Sequence, residues 1–93
     1  MDGKLMFNAG EVKYVTATVV ARNPNETVVI IDAKYELRSV RTKETVKSGE
    51  CSVFGDEISI LLDITEAGVY ELKITVRVGA ETFIQKTFIY VEG

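Results

Sequence analysis

The sequence predicts an all-β fold, an antiparallel β-sandwich of about seven strands. Three observations carry that expectation. Short runs rich in Val, Ile, Thr and Tyr recur along the whole chain; turn signals separate them every ~8–12 residues; and no stretch holds a long helical period. The clearest run is Tyr70 to Val78. Tyr70, Leu72, Ile74, Val76 and Val78 share one face, and Glu71, Lys73, Thr75 and Arg77 the other. Strict alternation of this kind makes a strand with one dry and one wet face.

The other elements follow in order. Val12 to Ala21 is rich in Val, Thr and Tyr and begins after the turn signal Asn8-Ala9-Gly10. Asn23-Pro24-Asn25-Glu26, with the only proline, stops it. Thr27 to Ser39 then places Val29, Ile31, Ala33, Tyr35 and Leu37 on one face and Lys34, Glu36 and Arg38 on the other. Thr42-Lys43-Glu44 and Ser48-Gly49 bracket a short strand near Thr45 to Lys47, and Glu50 to Phe54 makes another, ended by Gly55-Asp56. Glu57 to Ile64 turns Ile58, Ile60, Leu62 and Ile64 to one side, although a single helical turn within Ile60–Ala67 is an alternative. A polar corner led by Asp63 runs through Thr65-Glu66-Ala67-Gly68 and delivers Tyr70. Asp63, Gly68 and Tyr70 are therefore read as the corner that sets the fold, with Asp63 capping the turn. Gly79-Ala80 makes a tight hairpin into Glu81 to Val91. In that last strand Phe83, Ile89 and Val91 fall on one parity and Ile84, Phe88 and Tyr90 on the other. A bulge or a strand apolar on both faces would reconcile them.

Composition narrows the function. Ninety-three residues make one domain, and 46% hydrophobic with 27% charged residues is the balance of a soluble globular chain. No run approaches the ~20 apolar residues of a membrane span. Met1-Asp2-Gly3-Lys4 lacks the features of a signal peptide, so the expectation is a cytoplasmic protein or a piece of a longer one. The net charge of −3 is divided: residues 1–48 lean basic and residues 49–93 strongly acidic. An acidic balance argues against nucleic acid as the partner. Cys51 is the single cysteine, with no disulfide to make, and reads as a small buried hydrophobe.

The chain holds no histidine, which removes the Ser-His-Asp triad and the imidazole base. One cysteine cannot assemble a zinc site, and seven scattered glycines make no phosphate loop. Two carboxylate pairs remain, Asp56 with Glu57 and Asp63 with Glu66. A glycosidase needs such a pair across a cleft about 5–9 Å wide, for which so small a domain has little room. Neither pair has the alternating ligands of a calcium loop. The expectation is a protein that is not an enzyme and has no cofactor, no metal and no small-molecule ligand. Arg38, Arg41, Lys43 and Lys47 form the densest basic stretch, interrupted by Glu36 and Glu44. They read as a wet surface or, more sharply, as an anion-binding patch. With Tyr90 they are the candidate interaction surface. Tyr14, Tyr35, Tyr70 and Tyr90 raise carbohydrate stacking as an alternative, but Tyr35 and Tyr70 share parity with core aliphatics. Asn25-Glu26-Thr27 matches a glycosylation acceptor and is read as a turn.

Taken in order, several segments carry a resemblance. They are Gly10-Glu11 ahead of a Val/Thr strand, the Asn23-Pro24-Asn25 turn, and Ile31-Asp32-Ala33-Lys34-Tyr35-Glu36-Leu37-Arg38. After Gly49 come hydrophobic strands leading to Asp63 and Gly68-Val69-Tyr70-Glu71-Leu72, then the Gly79 hairpin closing with Phe88-Ile89-Tyr90-Val91. The chain resembles the N-terminal immunoglobulin-like domains of bacteriophage baseplate upper proteins, related phage tail modules and bacterial surface modules of the same fold. The Gly-x-Tyr start of a late strand is a feature of such sandwiches. The resemblance implies a structural domain without catalytic residues, assembled in the cytoplasm into a virion, whose partner is another protein or its own copy. An adhesion or carbohydrate-binding module of the bacterial surface is the alternative. Exposed edges pair readily, so Glu81 to Val91 and Thr42 to Gly49 are the expected docking edges.

Overall fold

The alternation of Tyr70–Val78 places that segment in the middle of the larger of two sheets. The computed structural model describes residues 4–20 and 28–93, with the Lys4 side chain left aside. Its strands are β1 (Lys4–Asn8), β2 (Val12–Thr18), β3 (Ile30–Ser39), β4 (Thr45–Glu50), β5 (Ser52–Phe54), β6 (Glu57–Asp63), β7 (Gly68–Val78) and β8 (Glu81–Glu92). Five form one sheet in the order β1-β8-β7-β3-β4, and three form the other in the order β2-β6-β5. The described residues contain no helix, so Ile60–Ala67 is strand followed by corner. The expected turn at Asn23-Pro24-Asn25-Glu26 and the Asn25-Glu26-Thr27 acceptor lie outside the described residues.

The two sheets bury one apolar layer between them. Ala33 and Leu37 from β3, Ile58, Ile60 and Leu62 from β6, Tyr70, Leu72, Ile74 and Val76 from β7, and Ile89 and Val91 from β8 build it. No polar or charged side chain is buried with them among the described residues. The wet face of β7 is neutralised from β3: Arg77 donates to Asp32 at 2.7 Å and Arg38 to Glu71 at 3.3 Å, both across register-paired positions. Exposed pairs of this sort add little stability; they fix which face looks outward.

The structure corrects one sequence expectation, decides between two alternatives in a second place and adds a strand. β3 does not keep one parity from Val29 to Leu37. Its register with β7 shifts between Ile30 and Asp32, so Ile30 enters the core while Ile31 and Val29 are exposed. A bulge adds one unpaired residue and so exchanges the faces. β8, by contrast, needs no bulge. It pairs with β7 without interruption from Glu81↔Val78 to Val91↔Gly68, and it is apolar on both faces. Finally, an eighth strand, β1, was not anticipated. It pairs parallel to β8, from Lys4↔Phe88 to Asn8↔Glu92.

Among the described residues three short crossings join the sheets: β1 to β2, β4 to β5, and the corner from β6 to β7. Between β1 and β2 the amide of Ala9 donates to the Glu92 carbonyl and that of Gly10 to the Ile64 carbonyl. Gly10 has φ +86°, where a side chain would be strained. Between β4 and β5 the chain changes sheet at Cys51, whose amide donates to the Ala33 carbonyl at 2.8 Å. Cys51 is buried, as its apolar reading required. Burial pushes its thiol from 9.0 up to about 11. A raised folded value leaves stability intact below the unfolded pKa and removes it as pH climbs through the folded one. Urea unfolding is therefore expected to show stability falling as the pH rises from 9 through 11. Cys51→Val should flatten that slope, and an unchanged slope in the variant would assign the loss to other groups.

Candidate functional site

At one end of the sandwich the structure brings together two groups that the sequence keeps far apart. The loop after β3, the start of β4 and the corner between β6 and β7 enclose a cleft of about 780 Å³. Arg41 and Lys47 line it from one side, and Asp63, Glu66, Gly68 and Tyr70 from the other. The Tyr70 hydroxyl donates to the Glu66 carbonyl at 2.8 Å. This link from the first inward residue of β7 back to the preceding corner is the tyrosine corner of immunoglobulin-like domains. The corner thus uses the backbone of Glu66 rather than Asp63, which ends β6 exposed and opposite Val12. Gly68, at φ +151°, lets the chain turn inward there.

Burial is the main reason the Tyr70 hydroxyl is held above its ordinary pKa, and the Glu66 carboxylate adds to it while Arg41 opposes. A hydroxyl so placed is a structural donor at neutral pH. Tyr70→Phe is expected to cost ~1 kcal/mol, a fall in Tm of roughly 4–8 °C by calorimetry. A variant as stable as the parent would show that the bond contributes nothing to the corner.

The expected basic patch is dispersed. Arg38 lies on the outer sheet face in its pair with Glu71. Arg41 and Lys47 line the end cleft, and Lys43 takes a left-handed backbone (φ 63°) in the β3–β4 turn. Tyr90 belongs to a different surface. On the outer face of the larger sheet it pairs with Val69 of β7 and Met6 of β1. Phe88 and Ile84 continue that apolar stripe along β8, and all but Tyr90 in it are exposed. Tyr35 is half-buried and Tyr14 is 71% exposed, so the tyrosines form no shared stacking platform. Asp56 stands exposed in the β5–β6 turn and Glu57 exposed at the start of β6.

The expected docking edges fare unequally. Thr42 to Gly49 includes β4, which is an edge strand, exposed along its length and offset by a register shift against β3. Glu81 to Val91 is an edge over only half its length. β1 covers residues 88–92 of β8, while residues 81–87 pair with β7 on one side and with no described strand on the other. The uncovered half flanks a groove of about 490 Å³, reaching the core residues Ile58, Leu72, Ile74 and Val76. Across the groove stands β2, the edge of the smaller sheet, whose Val15 and Ala17 line it together with Val19 just beyond the strand. This opening was not legible in the sequence, because it depends on how two strands from different sheets face each other.

No family model matches the chain, and no curated protein matches it in sequence. Solved structures do. An engineered protein superposes with a TM-score of 0.76 over 99% of this chain at 13% identity, and the chain spans only 18% of that protein's length. CopC from Methylosinus trichosporium OB3b gives 0.71 over 98% of this chain and 85% of its own, at 16% identity. The ZIG-8–RIG-5 IG1-IG1 heterodimer gives 0.54 over 100% of this chain and 84% of that one, at 11% identity. The chain has an immunoglobulin-like β-sandwich fold. At these identities the likeness is one of fold alone, and the sandwich is a small all-β domain. No helix among the described residues is long and apolar enough to cross a membrane.

Proposed function

We propose that this sandwich is a non-catalytic interaction module that engages protein strands at its open sheet edges. The observation that carries the reading is the uncovered half of β8. Among the described residues, residues 81–87 of β8 have a strand partner on the β7 side alone, and they lie beside a groove floored by core side chains. Unpaired edges with exposed apolar residues are templates for strand addition, and Phe83 and Ile84 on this edge are 43% and 60% exposed. A solved neighbour of the same fold is itself a heterodimer, which is in keeping with protein association. The non-catalytic part of the reading draws on the carboxylates. Asp56 on its turn and Glu57 at the start of β6 are exposed, and Asp63 and Glu66 share their cleft with Arg41 and Lys47.

For the setting, we favour assembly into a phage tail or baseplate over adhesion at a bacterial surface. That preference rests on the resemblance in strand and turn order, and tail or capsid genes beside the coding sequence would support it. The edge reading is tested by site-specific photo-cross-linking in extract, with the probe at Ile84 on the β8 edge, Lys47 on β4 or Lys34 in mid-sheet. One protein, identified by mass spectrometry as an adduct of an edge position and absent from Lys34, is the expected result. Adducts of equal yield at Lys34, or none at either edge, would overturn it.

A further inference from the structure

We infer that Glu11 and Lys13 form a clasp that decides whether β1 stays seated on β8, and that β1 leaves as a unit while the rest of the sandwich stays folded. Its departure bares residues 88–92 of β8 for an incoming strand, a consequence that rests on the edge-binding reading above. β1 is built to be separable. It lies at the end of its sheet, is five residues long and pairs with β8 alone among the described strands. That pairing is parallel, whereas every other described pairing is antiparallel, and parallel ladders are slightly weaker per residue. Among the described residues, Phe7 is the one buried core side chain that β1 supplies. Without β1 the sheets keep the orders β8-β7-β3-β4 and β2-β6-β5, with the rest of the apolar layer between them.

Two side chains beside the β1–β2 turn hold this strand from outside its ladder. Glu11 Oε1 accepts from the Asn8 amide at 2.9 Å, and Lys13 Nζ donates to the same oxygen at 3.1 Å. Lys13 Nζ also donates to the Met6 carbonyl at 3.1 Å and lies 5.0 Å from the Phe7 ring centroid. One ion pair thus touches three successive residues of β1, at a carbonyl, a ring and an amide. The two side chains stay 32% and 43% exposed, so salt and the charges of a partner compete for them. The Gly10 amide donates to the Ile64 carbonyl, which ties the turn to the β6–β7 corner and leaves it as the pivot when β1 swings away. The Asn8 amide, and after it Lys13, hold the Glu11 carboxyl below its ordinary 4.5. A lowered folded value means stabilisation that is present above the unfolded pKa and is lost as pH falls through the folded one, so acid opens the clasp. Lys13, Asp63 opposite Val12 and Glu92 opposite Asn8 are the charged groups on the adjoining elements.

The test is native-state hydrogen exchange on the purified chain. The amides of β1, and those of residues 88–92 bonded to it, are expected to exchange through a local opening insensitive to low urea. The amides of Leu72 and Ile74 should follow global unfolding instead. Lys13→Met, which keeps an apolar stem and removes the charge, should lower the protection of β1 roughly threefold to tenfold. Glu11→Gln should act in the same direction. Lys13→Arg should keep the parental protection, and Arg77→Met, at an exposed pair elsewhere on the sheet, should leave it unchanged. Below about pH 4.5 the protection of β1 should fall in the parent and much less in Glu11→Gln, since Asp63 and Glu92 are common to both. β1 amides that exchange only together with the core would overturn the inference, as would protection unmoved by Lys13→Met and Glu11→Gln. Pairing is read separately, by photo-cross-linking in extract from a probe at Phe88, where Lys13→Met should raise the adduct yield. An unchanged yield, with an adduct still formed at Lys47, would sink the link between clasp and pairing and leave the edge-binding reading standing.

Discussion

Phe7→Ala is expected to lower stability by about 3–5 kcal/mol and to lengthen the open edge of β8. The Phe7 ring is 3% exposed and sits in β1 opposite Val91. Its neighbour on the same face, Leu5, is only half-buried, so the ring supplies most of what holds this five-residue strand to the sandwich. The Lys13 ammonium lies 5.0 Å from the ring centroid and donates to the Met6 carbonyl at 3.1 Å. The cation–π contact adds about 0.5–1 kcal/mol at an exposed site. Truncating the ring removes both the burial and the anchor of the lysine. Urea unfolding should show the loss, and hydrogen exchange should show amides 88–92 of β8 losing protection ahead of the rest of the sheet. If those amides keep their protection while the midpoint falls, β1 is held by its backbone ladder and not by Phe7.

Leu72→Ala is expected to cost about 2–5 kcal/mol, a large share of the 5–15 kcal/mol by which a domain is commonly stable. Leu72 is fully buried, lies in the middle of the central strand, and is flanked in register by Leu37 of β3 and Thr87 of β8. A cavity here opens between the two sheets with rigid strands on either side, so little can collapse into it. Leu61 provides the control. It has the same side chain on β6 but is 46% exposed, and Leu61→Ala should stay within ~0.5 kcal/mol of the parent. Thermal unfolding of the three proteins checks the contrast, and equal costs for the two variants would contradict the assignment of faces on β6 and β7.

What the sequence discloses follows from the range of the interactions involved. The faces of β6 and β7 were legible because alternation is local, and both strands run without a bulge. β3 misled at Ile31, because one inserted residue is invisible in composition yet exchanges every face before it. The two-sided β8 could not be distinguished from a bulged strand, since only its unbroken ladder with β7 separates the two. β1 escaped notice because five residues alternating only at Leu5 and Phe7 give little signal; its evidence is a pairing with the far end of the chain. The corner was legible through Gly68 and Tyr70, while the choice of Glu66 over Asp63 required knowing which carbonyl the hydroxyl reaches. Edge status was the least accessible property. The pairing of residues 88–92 of β8 with β1 joins opposite ends of the sequence, and nothing within β8 announces it.

The parallel pairing of β1 with β8 also determines how the domain would respond to traction. Lys4 opposes Phe88 and Asn8 opposes Glu92, so a pull directed outward at Lys4 and at Gly93 draws the two strands along their common axis in opposite directions. The rungs of that ladder are then strained together in shear, not opened one at a time as in a peeled hairpin. Resistance to such a pull is a matter of unfolding rate. For a sandwich strung between neighbours, the short first strand would act as the latch that must slip before the core yields.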